Sequence, residues 1–160
     1  MDRKYRLLIV DENSYVADIL VQTLRNDFTI TVANNGQEAA RLLIQGSRFD
    51  CVLTELNLPA FNGLELTKLI RTNRLISHIP VLVLSNAPDS DTRIKCLEEG
   101  VDTFIAKPFN PLEVKAKLHA LLRRAAPPVE DLFKRSASIR MRSQTNLLRQ
   151  IRTRVMSLIL

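Results

Sequence analysis

Apolar positions along the chain follow two rhythms. Tyr5–Val10 (YRLLIV), Asp50–Glu55 and Val81–Ser85 (VLVLS) are short, largely apolar runs, as expected of strands covered on both faces. Phe28–Ala33 alternates and is rich in β-branched residues, and Thr103–Ala106 is a shorter fifth strand. Between these runs the spacing becomes helical. Val16, Ile19, Leu20 and Leu24 share one face of Asn13–Asn26, and Ala39, Ala40, Leu43 and Ile44 share one face of Gln37–Gln45. Leu64–Arg71 and Ser90–Glu99 are further helices, with Gly100 ending the second of them as a C-cap. Asn110 caps a last helix that has Pro111 at its first position and runs to about Arg124. Leu58–Gly63 is a loop broken by its Pro and Gly.

Strand and helix therefore alternate five times. That order predicts an α/β fold: a five-stranded parallel sheet, doubly wound, with right-handed crossovers and helices on both faces. In such a sheet the working site lies outside the carboxyl ends of the strands. The residues just beyond those ends are Asp11 and Glu12, Glu55, Ser85 and Asn86, and Lys107. One domain is expected over residues 1–124. Ala125-Ala126-Pro127-Pro128 is a stiff boundary, and residues 125–160 form a linker and a helical extension. There Met141, Leu148, Ile151, Val155 and Leu158 recur with 3-4 spacing, and Gln144 fills the remaining position. Such an amphipathic helix needs a partner for its apolar stripe.

Composition narrows the class. The chain has 160 residues, 46% hydrophobic and 25% charged, which excludes disorder throughout and collagen-like or low-complexity classes. No apolar run is long enough to span a bilayer, and MDRKYRLLIVDEN is not a secretory signal, so a cytoplasmic protein is expected. In that reducing setting Cys51 reads as core, Cys96 as core or partly exposed, and no disulfide is expected. His78 and His119 have no His, Cys or acid at metal-ligand spacing and read as surface residues. Gly-rich phosphate loops, Ser-His-Asp patterns and zinc spacings are missing.

The net charge of +6 is unevenly placed: residues 125–160 hold seven Lys/Arg against two Asp/Glu, which leaves the body nearly neutral. Three partners suit a basic amphipathic tail. A protein or a second copy of the chain, giving a homodimer, is favoured because the stripe has to be buried. An anionic membrane is the second. Nucleic acid is the third, although the short length argues against sequence reading.

The residues at the strand ends carry the chemistry. Clustered carboxylates are tolerated when a cation, a proton or an ammonium lies between them. A hard divalent ion serves, and so does Lys107. A hydroxyl beside an ammonium, Ser85 beside Lys107, suits a phosphoryl group.

The segments LLIVDEN (7–13), FDCVLTELNLPAFNGLEL (49–66), PVLVLSNA (80–87) and EEGVDTFIAKPF (98–109) resemble, in order and spacing, the receiver domain of two-component response regulators. The resemblance covers about residues 4–124 and implies the flavodoxin-like receiver fold. It implies that Asp11 and Glu12 are the acidic pair that holds Mg²⁺, that Asn57 supplies a backbone carbonyl to the metal, and that Ser85 and Lys107 contact the phosphoryl oxygens. It implies a Lys107-Pro108 bond that is often cis, and Phe104 as the aromatic switch. Partners would dock on the face of the fourth helix, fifth strand and fifth helix, or on the tail.

Glu55 stands where the family has its acceptor Asp. The extra methylene carries the carboxylate about 1–1.5 Å further from the backbone. A nucleophile misplaced by about 1 Å loses roughly a hundredfold in rate. The same length brings negative charge toward the site of the phosphoryl oxygens, where it pairs with Lys107 and accepts a hydrogen bond from Ser85. Glu55 then imitates the phosphorylated state in part, with one charge and two acceptors against nearly two charges and three oxygens. Glu12, where Asp is more usual, crowds the metal site, so any Mg²⁺ bound there is bound weakly. Two other readings stay open: an inert receiver-fold scaffold, and a receiver still weakly phosphorylated.

Overall fold

A computed structural model describes residues 4–86 and 89–125. The strands β1 (Tyr5–Val10), β2 (Phe28–Ala33), β3 (Cys51–Glu55), β4 (Val81–Asn86) and β5 (Thr103–Lys107) alternate with α1 (Ser14–Leu24), α2 (Gly36–Ile44), α3 (Gly63–Thr72), α4 (Ser90–Glu98) and α5 (Pro111–Ala125). The strands form one parallel sheet in the order β2-β1-β3-β4-β5. The chain runs outward from β1 to β2, then returns past β1 to build β3, β4 and β5. The reversal falls between β1 and β3, and it sets the end of β1 beside Glu55.

Burial explains why β1, β3 and β4 show no alternation of polar and apolar residues. Leu8, Val10, Val52 and Val83 face one layer, against Leu43 of α2, Leu66 and Ile70 of α3 and Cys96 of α4. Leu7, Ile9, Leu53, Leu82 and Leu84 face the other, against Leu20 and Leu24 of α1 and Leu118 and Leu122 of α5. Both faces of the sheet are covered there, so the middle positions of a central strand are apolar on both sides. The helices start where short polar side chains satisfy unpaired N–H groups. Asn13 caps α1, Asn35 α2 and Asp89 α4, and Asn62 with Glu65 forms a capping box on α3. β4 and β5 each run one residue past the expected end, because Asn86 pairs with Lys107.

Both cysteines are fully buried. Burial pushes the Cys51 thiol up to about 12 and raises that of Cys96. His119 corrects the expectation of a surface histidine. Its ring is half-buried at 5.3 Å from that of Phe28, and its Nε2 lies 3.1 Å from Asp27 Oδ2. Asp27 also accepts from Lys115 Nζ at 2.7 Å. The acid that accompanies His119 is 92 residues away, beyond the reach of any spacing rule.

The chain divides into two units, Met1–Ala125 and Ala126–Leu160. The amphipathic helix and basic stripe expected in the second lie outside the described residues. Among the described residues no helix is long and apolar enough to cross a membrane.

Candidate functional site

Five side chains meet at the carboxyl end of the sheet because five elements deliver them there. Asp11 follows β1, where its N–H donates to the Ala33 carbonyl of the neighbouring strand at 3.2 Å. Glu55 ends β3, Ser85 lies near the end of β4 and Lys107 ends β5. Asn57 sits in the turn after β3. Asp11, Glu55 and Ser85 are 2%, 7% and 0% exposed, so three polar side chains of the site lie in a largely apolar interior. Such groups are stable there only when paired.

They are paired. Lys107 reaches back from the far strand and places its ammonium between the two acids: Nζ lies 3.3 Å from Asp11 Oδ2 and forms an ion pair with Glu55 Oε2. The other oxygen of Asp11 accepts the Asn13 N–H at 2.8 Å. The other oxygen of Glu55 accepts the Asn57 N–H at 3.0 Å. The Asn57 amide then donates to Ser85 Oγ at 3.2 Å. A continuous chain of contacts thus runs from Asp11 through Lys107, Glu55 and Asn57 to Ser85. Among the described residues no buried side-chain nitrogen or oxygen lacks a partner. Burial alone pushes the Lys107 ammonium toward deprotonation. The hydrogen bond and charge of Glu55, with those of Asp11, outweigh it, so its pKa is raised and the ammonium stays charged.

Gly63 lets α3 begin against this cluster. A Cβ there would lie 2.5 Å from the Glu55 carbonyl oxygen, so only glycine allows the helix to start so close to the strand end. Its N–H donates to the Leu56 carbonyl at 3.0 Å, which sets the turn that carries Asn57.

One expectation changes. The hydrogen bond expected from Ser85 to Glu55 is not formed; Glu55 turns its second oxygen to the Asn57 N–H, and Ser85 takes the Asn57 amide instead. Asn57 is engaged through its side chain and its N–H. Glu12 is exposed and makes no ion pair among the described residues. Phe104 is half-buried against the core layer of α2, α3 and α4, with the Arg93 guanidinium 6.0 Å from its ring centre. The Lys107-Pro108 bond is cis.

The implied Mg²⁺ can be tested against this donor set. The oxygens are of the right chemistry for a hard cation. Yet among the described residues no three Asp, Glu, His or Cys side chains gather closely enough to hold a metal, and Lys107 already lies between Asp11 and Glu55. Lys107 thus fills the place between the two carboxylates that a cation would take.

Residues 7–119 match the family model of the response regulator receiver domain. The chain is 34% identical over 119 residues to the transcriptional regulatory protein SrrA of Staphylococcus aureus, an overlap of 74% of this chain and 48% of SrrA. It thus spans about half the length of the curated relatives it matches. Among solved structures it is similar to a putative response regulator from Chloroflexus aurantiacus, at 30% identity and a TM-score of 0.71, over 76% of this chain and 99% of that one. It is also similar to the receiver domain of the sensor histidine kinase PA1611 from Pseudomonas aeruginosa, which holds a magnesium ion in its active-site cleft. Identity there is 25% and the TM-score 0.67, over 75% of this chain and 98% of that one. The chain belongs to the response regulator receiver domain family.

Proposed function

We propose that this receiver signals without being phosphorylated, and that Glu55 stands permanently where a phosphorylated acceptor would. The observation that carries the reading is the ion pair of Glu55 with Lys107 inside a buried cluster. In a receiver that ammonium is the natural partner of a phosphoryl oxygen; here a side chain already engages it. The protein then acts by contact, without turnover of its own and without Mg²⁺. The contact surface is the face of α4, β5 and α5; α4 and α5 carry the exposed Ile94, Leu97 and Leu112, and Arg93 lies over the Phe104 ring. The basic tail adds a second contact, to a protein partner or to a second copy of the chain.

One observation favours an inert scaffold instead. Ser85 is held by Asn57, so the second phosphoryl-contact residue is not drawn toward Glu55. Amide hydrogen exchange over β4, α4 and β5 separates the two readings. If Glu55 imitates the modified state, Glu55→Asp changes the exchange of these elements, and acetyl phosphate with Mg²⁺ restores the wild-type pattern. An unchanged pattern in Glu55→Asp leaves only the scaffold. Intact mass of the wild type under the same donor tests the third reading. No phosphoryl gain is expected; a gain that survives Glu55→Gln would place the acceptor elsewhere and overturn the proposal.

A further inference from the structure

The sheet has a second end, and its surface has a character of its own. All five strands are parallel, so their amino ends share one edge, and every helix runs back toward it. The start of β1, the turns between α1 and β2, α2 and β3, α3 and β4, and α4 and β5, and the end of α5 all meet there. The acids of this end are largely engaged. Asp27 accepts from Lys115 and His119, Asp50 from the Arg6 backbone N–H at 2.7 Å, Asp102 pairs with Arg71 at 2.7 Å, and Glu99 with Lys68 at 3.2 Å. Among the described residues Glu98 is the remaining one. The bases are placed differently: Arg6, Arg25, Arg48, Arg74, Arg123 and Arg124 are exposed and form no ion pair among the described residues. Set among them are large apolar side chains in water, with Leu75 83% exposed, Ile44 62% and Tyr5 42%. Between Arg48 and Leu75 lies a cleft of about 480 Å³ whose floor includes Phe49, Ile76 and Ile79.

We propose that this amino-end face docks the protein on an anionic lipid bilayer. Outward arginines and projecting apolar tips on one face are what a charged interface takes up: the cations attract the surface, and the apolar groups enter the boundary between headgroups and acyl chains. A nucleic-acid backbone would use the arginines but leave Leu75 and Ile44 against phosphate. The opposite end carries Glu12, Glu65, Asp89 and Asp91, all exposed and without an ion pair among the described residues, so a negative surface orients the molecule with its site facing away. The chain also leaves the described unit at this end, because α5 runs back past Asp27. The residues that follow hold seven Lys/Arg against two Asp/Glu. The proposal does not depend on what Glu55 does.

Co-sedimentation of the full chain with phosphatidylcholine vesicles containing about 30% phosphatidylserine tests it, with pure phosphatidylcholine as the comparison. Binding is expected to the anionic vesicles only. Arg48→Glu with Arg74→Glu should weaken it by more than tenfold. Leu75→Ser should weaken it severalfold while leaving the salt dependence unchanged. These positions are exposed, and unchanged unfolding midpoints verify that the variants fold. No binding to the anionic vesicles overturns the proposal. Full binding by both variants, which would assign the interaction to residues 126–160 alone, also overturns it. So does tighter binding to duplex DNA that ignores Leu75→Ser.

Discussion

The two ends of the sheet each hold a cation that gathers several partners, and they use it in opposite ways. At the carboxyl end, Lys107 places one compact ammonium between the buried carboxylates of Asp11 and Glu55. At the amino end, Arg71 spreads a planar fork over four acceptors. Its Nε donates to the Gly100 carbonyl, its two terminal nitrogens to the Ser77 and Ile79 carbonyls and to the Asp102 carboxylate, all at 2.7–2.9 Å. Asp102 also accepts the Val81 N–H at 2.7 Å. Guanidinium geometry makes such a staple directional, whereas an ammonium is a point charge on a flexible stem. The amino end is therefore stitched from backbone carbonyls, whose positions the fold determines. The carboxyl end is held by side-chain charges, which one residue change can rearrange.

Removing the staple should have the largest effect. Arg71→Ala leaves three carbonyls and the Asp102 carboxylate without their donor, and is expected to lower stability by about 3 kcal/mol in urea unfolding. Arg71→Lys should recover less than half of the loss, since an ammonium cannot reproduce the fork. Full recovery by lysine would erase the distinction between the two cations.

Gly63→Ala tests the carboxyl end from the backbone side. The new Cβ meets the Glu55 carbonyl oxygen at 2.5 Å, so α3 or the end of β3 must shift, at about 2 kcal/mol. A neutral result would show that the strand end carrying Glu55 moves freely.

Lys107→Ala should cost less, about 1.5 kcal/mol at neutral pH. Its ammonium is partly exposed, so water screens part of the interaction it provides. Glu55→Gln in the same chain should return most of the loss, because it removes the repulsion from Asp11. A deficit that persists in the double variant would mean that Lys107 acts through packing.

Titration should loosen the two ends at opposite extremes. The Lys107 pKa is raised in the folded state. Its contribution is therefore complete below the unfolded value of about 10.4 and is lost as the pH rises through the higher folded value. Lys107→Ala should remove this alkaline limb. The Asp27 carboxyl is held below its ordinary range, first by Lys115 and then by His119. Its contribution is present above about pH 3.9 and fades as the pH falls through the lower folded value. Site-resolved hydrogen exchange should thus show the carboxyl end loosening in base and the contact between α5 and the α1–β2 turn loosening in acid. The smallest effect concerns the thiols. With Cys51 raised to about 12 and Cys96 raised as well, neither should be alkylated by iodoacetamide at pH 8 until the protein unfolds.

Much of this was legible in the amino-acid sequence, for a local reason. Periodicity, caps and breakers act over a few residues, and they place ten elements in order. The parallel topology then brings Asp11, Glu55, Ser85 and Lys107 to one edge without any knowledge of packing. What no spacing contains is the choice of partner once several polar groups meet. The Glu55 carboxylate takes Lys107 and the Asn57 N–H, and the turn after β3 that carries this N–H is pressed close by Gly63. Asn57 thereby takes Ser85 away from Glu55. The Asp27–His119 pair and the Arg71 staple join residues 92 and up to 31 positions apart. The gathering of unpaired arginines with Leu75, Ile44 and Tyr5 at one end is likewise a property of the assembled sheet. Which side chains arrive at each end follows from chain order; which of them touch, and which are left facing water, is settled by distances that exist only after folding.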